Sequence, residues 1–284
     1  MTPRQSNAFV VRRKLKNRLA IIVAWIIAAI GVLLPFWILF TVVSRGFAYF
    51  TPDLFHLMTP PPDTAGGLWN AIVGSLLMVG AATVVAAPVG ILAGIYLAEY
   101  GRNGRVANLI RFVNDILLSA PSIVIGLFIY TLLVVPLHHF SGYAGVAALA
   151  VIAVPIIVRT TENMLQLVPD ILREGAFALG SSRRQAILRV CLPAARNGII
   201  TGVLLAVARI SGETAPLLFT ALNNQFFSTQ LNQPMANLPV VIFQFAMSPY
   251  DNWQGLAWAG AALITVFVLA VNFLARFVFA RKAA

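Results

Sequence analysis

Arg209 and Glu213 stand four residues apart inside an apolar stretch, ARISGETAPLL, Ala208–Leu218. Helical spacing puts both on one face, a single turn apart. If the stretch crosses a bilayer, each charge costs ~2.5–3.5 kcal/mol near the bilayer centre. Charges kept at that depth face a bundle interior or an aqueous path. Arginine offers a planar fork that donates two parallel hydrogen bonds to an oxyanion. Glutamate repels an anion. Beside the arginine it can hold the guanidinium in place and weaken capture enough for release, or take a proton from an oxyanion that carries one. Ser211 and Thr214 add hydroxyls, and Gly212 opens space beside the backbone. Arg209 and Glu213 therefore read as the lining of a path for an anion. The plainer alternative is an ion pair that fixes helix packing.

Little else in the chain could do chemistry. There is no G-x-x-x-x-G-K-[ST] loop, so ATP binding by that route is not expected. His138 and His139 are adjacent, point apart on any regular element, and have no Cys or carboxylate nearby in sequence, so no metal site is expected. Cys191, the single cysteine, excludes an internal disulfide framework and has no evident base beside it. Apart from Glu213, the carboxylates fall in expected loops and form no catalytic pair.

The elements that would hold the pair are membrane helices. The chain has 284 residues, 60% hydrophobic and only 10% charged, against about 25% charged in a soluble domain. Six spans are expected, at Leu19–Val43, Trp69–Leu97, Ile116–Leu137, Tyr143–Val158, Ile199–Leu222 and Leu256–Ala280. The fourth has 16 residues, fewer than the roughly 20 a crossing needs; it reads as a helix packed inside the bundle that continues past Arg159. The first, 25 residues long, exceeds the ~7–15 apolar residues of a signal peptide and reads as uncleaved. Counting from this start, Arg209 lies about 15 Å into the fifth span, near its middle.

Eighteen of the twenty Lys and Arg fall on one side of these spans. They include the basic tail of residues 1–18, the loop with Arg102, Arg105 and Arg111, the loop Arg159–Arg196, and Arg276, Arg281 and Lys282. The positive-inside rule then puts both termini in the cytoplasm. The net charge of +11 is thereby a topology signal, and the expected neighbour is the lipid bilayer, with no nucleic acid. Gly90-x-x-x-Gly94 and Gly198-x-x-x-Gly202 have the spacing that lets two helix backbones approach. Pro88, Pro121, Pro136 and Pro155 predict kinks. The outer stretch Asn223–Trp253 contains NLPVVIFQFAM, too apolar for a free loop and too short to span; it is expected on or in the outer face as a cap or gate.

The most specific pattern lies in the cytoplasmic loop, PDILREGAFALGSSRRQAILRVCLPAARNGI, Pro169–Ile199. Asp170 can N-cap a short helix, Ile171–Leu179. Leu172, Ala176 and Leu179 share one face by their i, i+4, i+7 spacing. Gly180 can end the helix in the left-handed conformation, and Ser182 can cap the next one, which runs to Leu192-Pro193. A short exposed helix of this kind suits a groove in a partner protein.

That loop, with Glu174-Gly175-Ala176-x3-Gly180-x9-Val190-x-Leu192-Pro193 over residues 169–193, resembles the EAA loop of binding-protein-dependent ABC importer permeases. Gly175 and Val190 depart from the usual alanine and isoleucine. ARISGETAPLLFTALNNQFF and QPMANLPVVIFQFAMSPYDNWQGLAWAGAALI are similar to the PstA-type permeases of phosphate-specific ABC importers. The resemblance covers residues 69–280, leaving 19–43 as an additional first helix. It implies an all-α polytopic fold, a type I importer permease with no active site and no cofactor. It implies that Glu174 and Gly180 couple to an ATPase, and that the substrate is inorganic phosphate. The implied partners are a PstC-type permease, two ATP-binding PstB-type subunits and a periplasmic phosphate-binding PstS-type protein, at a bacterial inner membrane. A permease for another oxyanion (sulfate, molybdate, phosphonate), a signalling or scaffold subunit and a self-sufficient secondary transporter are the rival readings.

Overall fold

The computed structural model describes residues 3–101 and 104–279. Arg102, Arg281, Lys282 and Ala280, the end of the sixth expected span, lie outside the described residues, as do residues 1 and 2 of the basic tail and the side chain of Arg4. Every regular element among the described residues is helical. Among the described residues, five helices are long and apolar enough to cross a membrane, or six if one bent pair counts as a single span.

Helix α1, Pro3–Ala48, runs 46 residues without a break, about 69 Å at 1.5 Å per residue. The tail expected ahead of the first span is thus part of the same helix. Residues 4–30 contain no Gly or Pro to break a helix and include several Ala and Arg, which favour helix. None of the described residues buries the most apolar window of α1; its far end meets the last long helix, Asp251–Phe273, through Gly46, packed on Trp258 and Ala262, and through Arg45, whose guanidinium lies 5.1 Å over the Trp258 ring.

Helix α2, Trp69–Ile95, continues through a wider π turn, Tyr96–Tyr100. The third crossing departs from expectation. It consists of α3, Arg105–Ser119, lying at 106° to the segment Ser122–Leu137, which begins as α4, Ser122–Ile129. Ala120 is extended (ψ 135) and Pro121 follows, as the steric demand of proline on its predecessor requires. α3 presents Val106, Leu109, Phe112 and Ile116 outward, a spacing of three to four residues that makes one apolar stripe. A left-handed turn at His138 (φ 57) then leads to α5, Gly142–Gln166, capped by the Ser141 hydroxyl, which accepts from the Ala144 N–H at 3.2 Å.

α5 is the hub. It extends past Arg159 as its alanine- and valine-rich sequence suggests, and two thirds of its most apolar window is buried, 67% against 28% or less for the other spans. Both G-x-x-x-G pairs pack on it. Gly90 and Gly94 of α2 rest on Ile157 and Thr161; Gly198 and Gly202 rest on Met164 and Thr160 from the other side. A Cβ at Gly90 would lie 2.7 Å from that of Ile157, so close approach is what glycine supplies here.

After α5 come the short α6, Asp170–Ala178, and α7, Arg183–Ala186. A π turn, Ile187–Cys191, joins α7 to α8, Leu192–Ser211. α8 stops at Ser211, eleven residues before the expected end of the fifth span. Gly212 and Pro216 account for this: proline would remove one helical bond and clash with the preceding turn. A separate turn of helix, α9, Ala215–Leu218, follows. α10, Leu238–Ala246, and α11, Asp251–Phe273 with a terminal π turn Leu274–Phe279, complete the chain. α10 is built into the bundle: Leu238, Val240, Val241 and Phe245 are buried, the Ser75 hydroxyl accepts from the Leu238 N–H at 2.7 Å, and Phe245 stacks on Trp253 at 4.5 Å.

Candidate functional site

The Arg209–Glu213 pair forms, with Arg209 Nη2 3.1 Å from Glu213 Oε1. It sits at the broken end of α8, not mid-helix: Arg209 is in the last turn, and the Glu213 N–H donates to the Ile210 carbonyl just past it. Ser211 lines a crevice of about 150 Å³ with Ser75 and Ile72, which lie within two turns of the Trp69 end of α2. The two charges are unequally placed. The Glu213 side chain is 9% exposed and that of Arg209 is 61% exposed. The carboxylate faces into the bundle and the guanidinium faces away from it. Gly212 is exposed, and a Cβ there would meet nothing within 4 Å. The Ser211 hydroxyl turns back to its own helix, donating to the Val207 carbonyl at 2.6 Å, so it is not offered to a ligand. In lipid, broken backbone is tolerated only where protein or an aqueous cavity satisfies it. An open strip carrying Arg209 beside a helix break fits a path wall or a subunit face.

At the opposite end lies α6, the loop helix. It begins at Asp170, with Pro169 in the capping position and no side-chain cap; the expected Asp170 cap is not made, because its carboxylate accepts from Arg173 Nη1 at 3.0 Å. Gly180 behaves as expected. Its φ is +78, its N–H donates to the Phe177 carbonyl (2.9 Å), and the Ser181 N–H donates to the Ala176 carbonyl (3.0 Å). That pair of bonds closes a helix C-terminus around one left-handed residue. Ser182 and Gln185 form a reciprocal capping box at the start of α7. The buried side of α6 is made by Arg173 and Ala176 alone. Leu172 and Leu179, expected beside Ala176, are exposed, as are Ile171 and Phe177. Glu174 is exposed as well. The helix thus turns its larger apolar side chains away from its own bundle.

Two carboxylates expected in loops are in fact buried in helical segments. Glu99, 7% exposed, receives Arg173 through Nη2 at 2.7 Å and Nε at 3.2 Å. The same guanidinium donates to the carbonyls of Leu165 (2.7 Å) and Val168 (2.6 Å). The hydrogen bond to Glu99, opposed by burial, raises the Arg173 pKa above its ordinary value. Glu162 of α5, 4% exposed, accepts from Arg111 Nε of α3 at 2.8 Å and from Gln166 at 3.1 Å. Sequence reasoning missed both. Only the arginines signalled them: Arg111 and Arg173 lie in amphipathic segments where a buried partner can wait, 51 and 74 residues away.

Residues 90–283 match the family described as binding-protein-dependent transport system inner membrane component. The chain is similar to the phosphate transport system permease protein PstA of Haemophilus influenzae, with 58% identity over 95% of this chain and 96% of that one. It is similar to the protein of the same name from Yersinia pestis, with 58% identity over 95% of this chain and 92% of that one. Among solved structures, a chain of an inward-facing MetNI methionine ABC transporter has the same fold, with a TM-score of 0.56, 21% identity, and coverage of 76% of this chain and 95% of that one.

Proposed function

The chain belongs to the family of binding-protein-dependent transport system inner membrane components, and from that premise we propose that it is the PstA-type permease of an ATP-driven importer of inorganic phosphate. The observation that carries this reading is identity of 58% over nearly the whole length of two relatives named phosphate transport permeases. In it, the chain supplies half of the translocation path and no catalytic centre. Arg209 contacts the anion, and Glu213 holds the guanidinium from the buried side. α6 docks on an ATP-binding, PstB-type subunit through Ile171, Leu172, Glu174 and Phe177, with Gly180 setting its exit. A PstC-type permease faces the Arg209 strip, and a PstS-type binding protein delivers phosphate at the α10 end. α1 is an addition to the core that begins with α2. The membrane is the bacterial inner membrane, with both termini in the cytoplasm.

The test of function is uptake. The chain with its three kinds of partner, reconstituted in liposomes, is expected to accumulate phosphate on ATP addition. A hundredfold excess of sulfate or molybdate is expected to leave uptake unchanged. Competition by either would move the assignment to another oxyanion, and uptake by the chain alone would make it a secondary transporter. The test of orientation is labelling. With Cys191 replaced by serine, a cysteine at Gln230 is expected to react with an impermeant thiol reagent in intact cells and one at Asn17 is not; both positions are exposed. The opposite pattern would invert the topology.

A further inference from the structure

The coupling helix must be fastened to the helices it moves, and the fastening is narrow. α6 buries two side chains, Arg173 and Ala176, and its main backbone neighbours are α7 and the Ile187–Cys191 turn that follow it. Arg173 reaches the membrane helices by polar contacts, and Arg183 of α7 adds a second tie beside it, to the Glu99 carbonyl and the Tyr100 ring. The Arg173 guanidinium meets Glu99 at the end of α2, and the carbonyls of Leu165 and Val168 at the end of α5. All three nitrogens are used, and both charged partners are buried, 9% and 7% exposed. A planar fork fixed on four sides transmits direction as well as distance, which a lysine on a flexible stem cannot do. Beyond the joint, α2 and α8 each lie closely against α5 at glycine contacts, and Arg209 is in the last turn of α8.

We propose that Glu99 and Arg173 are positioning residues for transport, forming the joint through which displacement of α6 is passed to α2 and α5 and hence to the Arg209 end of α8. The proposal rests on the permease reading given above. A helix held only by apolar contact slides on its neighbours when pushed; one pinned by a buried bidentate pair carries the neighbours with it. Both side chains are buried, at the floor of a cavity they share with Glu174 and Phe177, so loss of the joint is expected to separate two quantities that loss of docking does not: the ATPase stays bound while its work is no longer converted.

The experiment measures phosphate accumulated per ATP hydrolysed by the complete reconstituted complex, together with ATPase co-purification. Three variants are used: Glu99→Gln, Arg173→Lys, and the double Glu99→Leu/Arg173→Met. The last removes both buried charges together, which spares the fold the unpaired charge that Glu99→Gln leaves. Each is expected to retain the ATP-binding subunits and to lower uptake per ATP about tenfold, within the ~5–150-fold range of site-to-site coupling. Parent-like uptake per ATP in the double variant would overturn the joint. So would loss of the ATPase from all three, which would make the pair part of docking, and so would absence of all three from the membrane, which would make it a folding element. If the parent complex itself takes up no phosphate, the permease reading fails; parent uptake with unaffected variants makes the joint fail alone.

Discussion

The double variant Arg209→Gln/Glu213→Gln is expected to reach the membrane at parent abundance and to take up no measurable phosphate, a loss of at least a hundredfold, or about 3 kcal/mol. The argument turns on the unequal exposure of the two side chains. Glu213 is enclosed, so Arg209→Gln alone leaves a buried carboxylate without its cation, a state that costs ~3–5 kcal/mol in a fully buried pair and less here because Arg209 is 61% exposed. A modest fall in abundance is expected for that single variant. Removing both charges relieves the cost. If the pair only fixed packing, relief would restore the parent, and uptake with it. If Arg209 contacts the anion, no change at Glu213 replaces the lost fork. Arg209→Lys keeps the charge without the bidentate geometry and is expected to retain a small part of uptake. Parent-like uptake by the double variant would make the pair structural.

Gly180→Val has the second-largest expected effect, at least a tenfold loss of uptake. A Cβ at Gly180 would meet no atom within 4 Å, so crowding is not the issue. The issue is φ +78, where an L-residue costs roughly 1–2 kcal/mol and a β-branched one more. The chain relieves this by leaving the left-handed region, which breaks both closing bonds and redirects the Ser182 capping box and α7. α6 then meets its docking groove at the wrong angle. Asparagine tolerates the left-handed region, so Gly180→Asn is expected to keep most of the activity. Glu174→Lys, a change of surface charge on an intact helix, is expected to weaken ATPase co-purification directly. Equal damage from Asn and Val at position 180 would show that φ is not the cause.

What the sequence made legible was whatever depends on local spacing. Gly180 and Ser182 punctuate the loop Pro169–Ile199 within a few residues of one another, and their geometry is as expected. The alanine-rich fourth span reads as enclosed because lipid-facing helices do not need so many small side chains. Both glycine pairs read as packing contacts. What stayed hidden depends on partners distant in the chain. No periodicity in LAEY marks Glu99 as buried, since its burial is tolerable only with Arg173 beside it. Most of α3, up to Asp115, falls in an expected loop because Arg105, Asn108, Arg111, Asn114 and Asp115 interrupt its apolar residues; a helix with a single apolar stripe has a polar side by necessity, and an average over the segment conceals the stripe. The early end of α8 was visible in Gly212 and Pro216 but was outweighed by the apolar residues that continue past them.

The turn at His138 bears on how the chain is assembled in the membrane during synthesis. The segment Ser122–Leu137 has 16 residues, about 24 Å of helix, some 6 Å short of the hydrocarbon core. α5, which follows after residues 138–141, is long enough but made largely of alanine and valine, and its surface is shaped to meet protein. The short segment is the poorer solitary inserter. Joined to α5 by a tight left-handed turn and packed against it, it is expected to insert with α5 as one hairpin. The hub helix thus arrives already holding one of its neighbours, and α2, inserted earlier in the chain, is waiting with Gly90 and Gly94 to receive its other face.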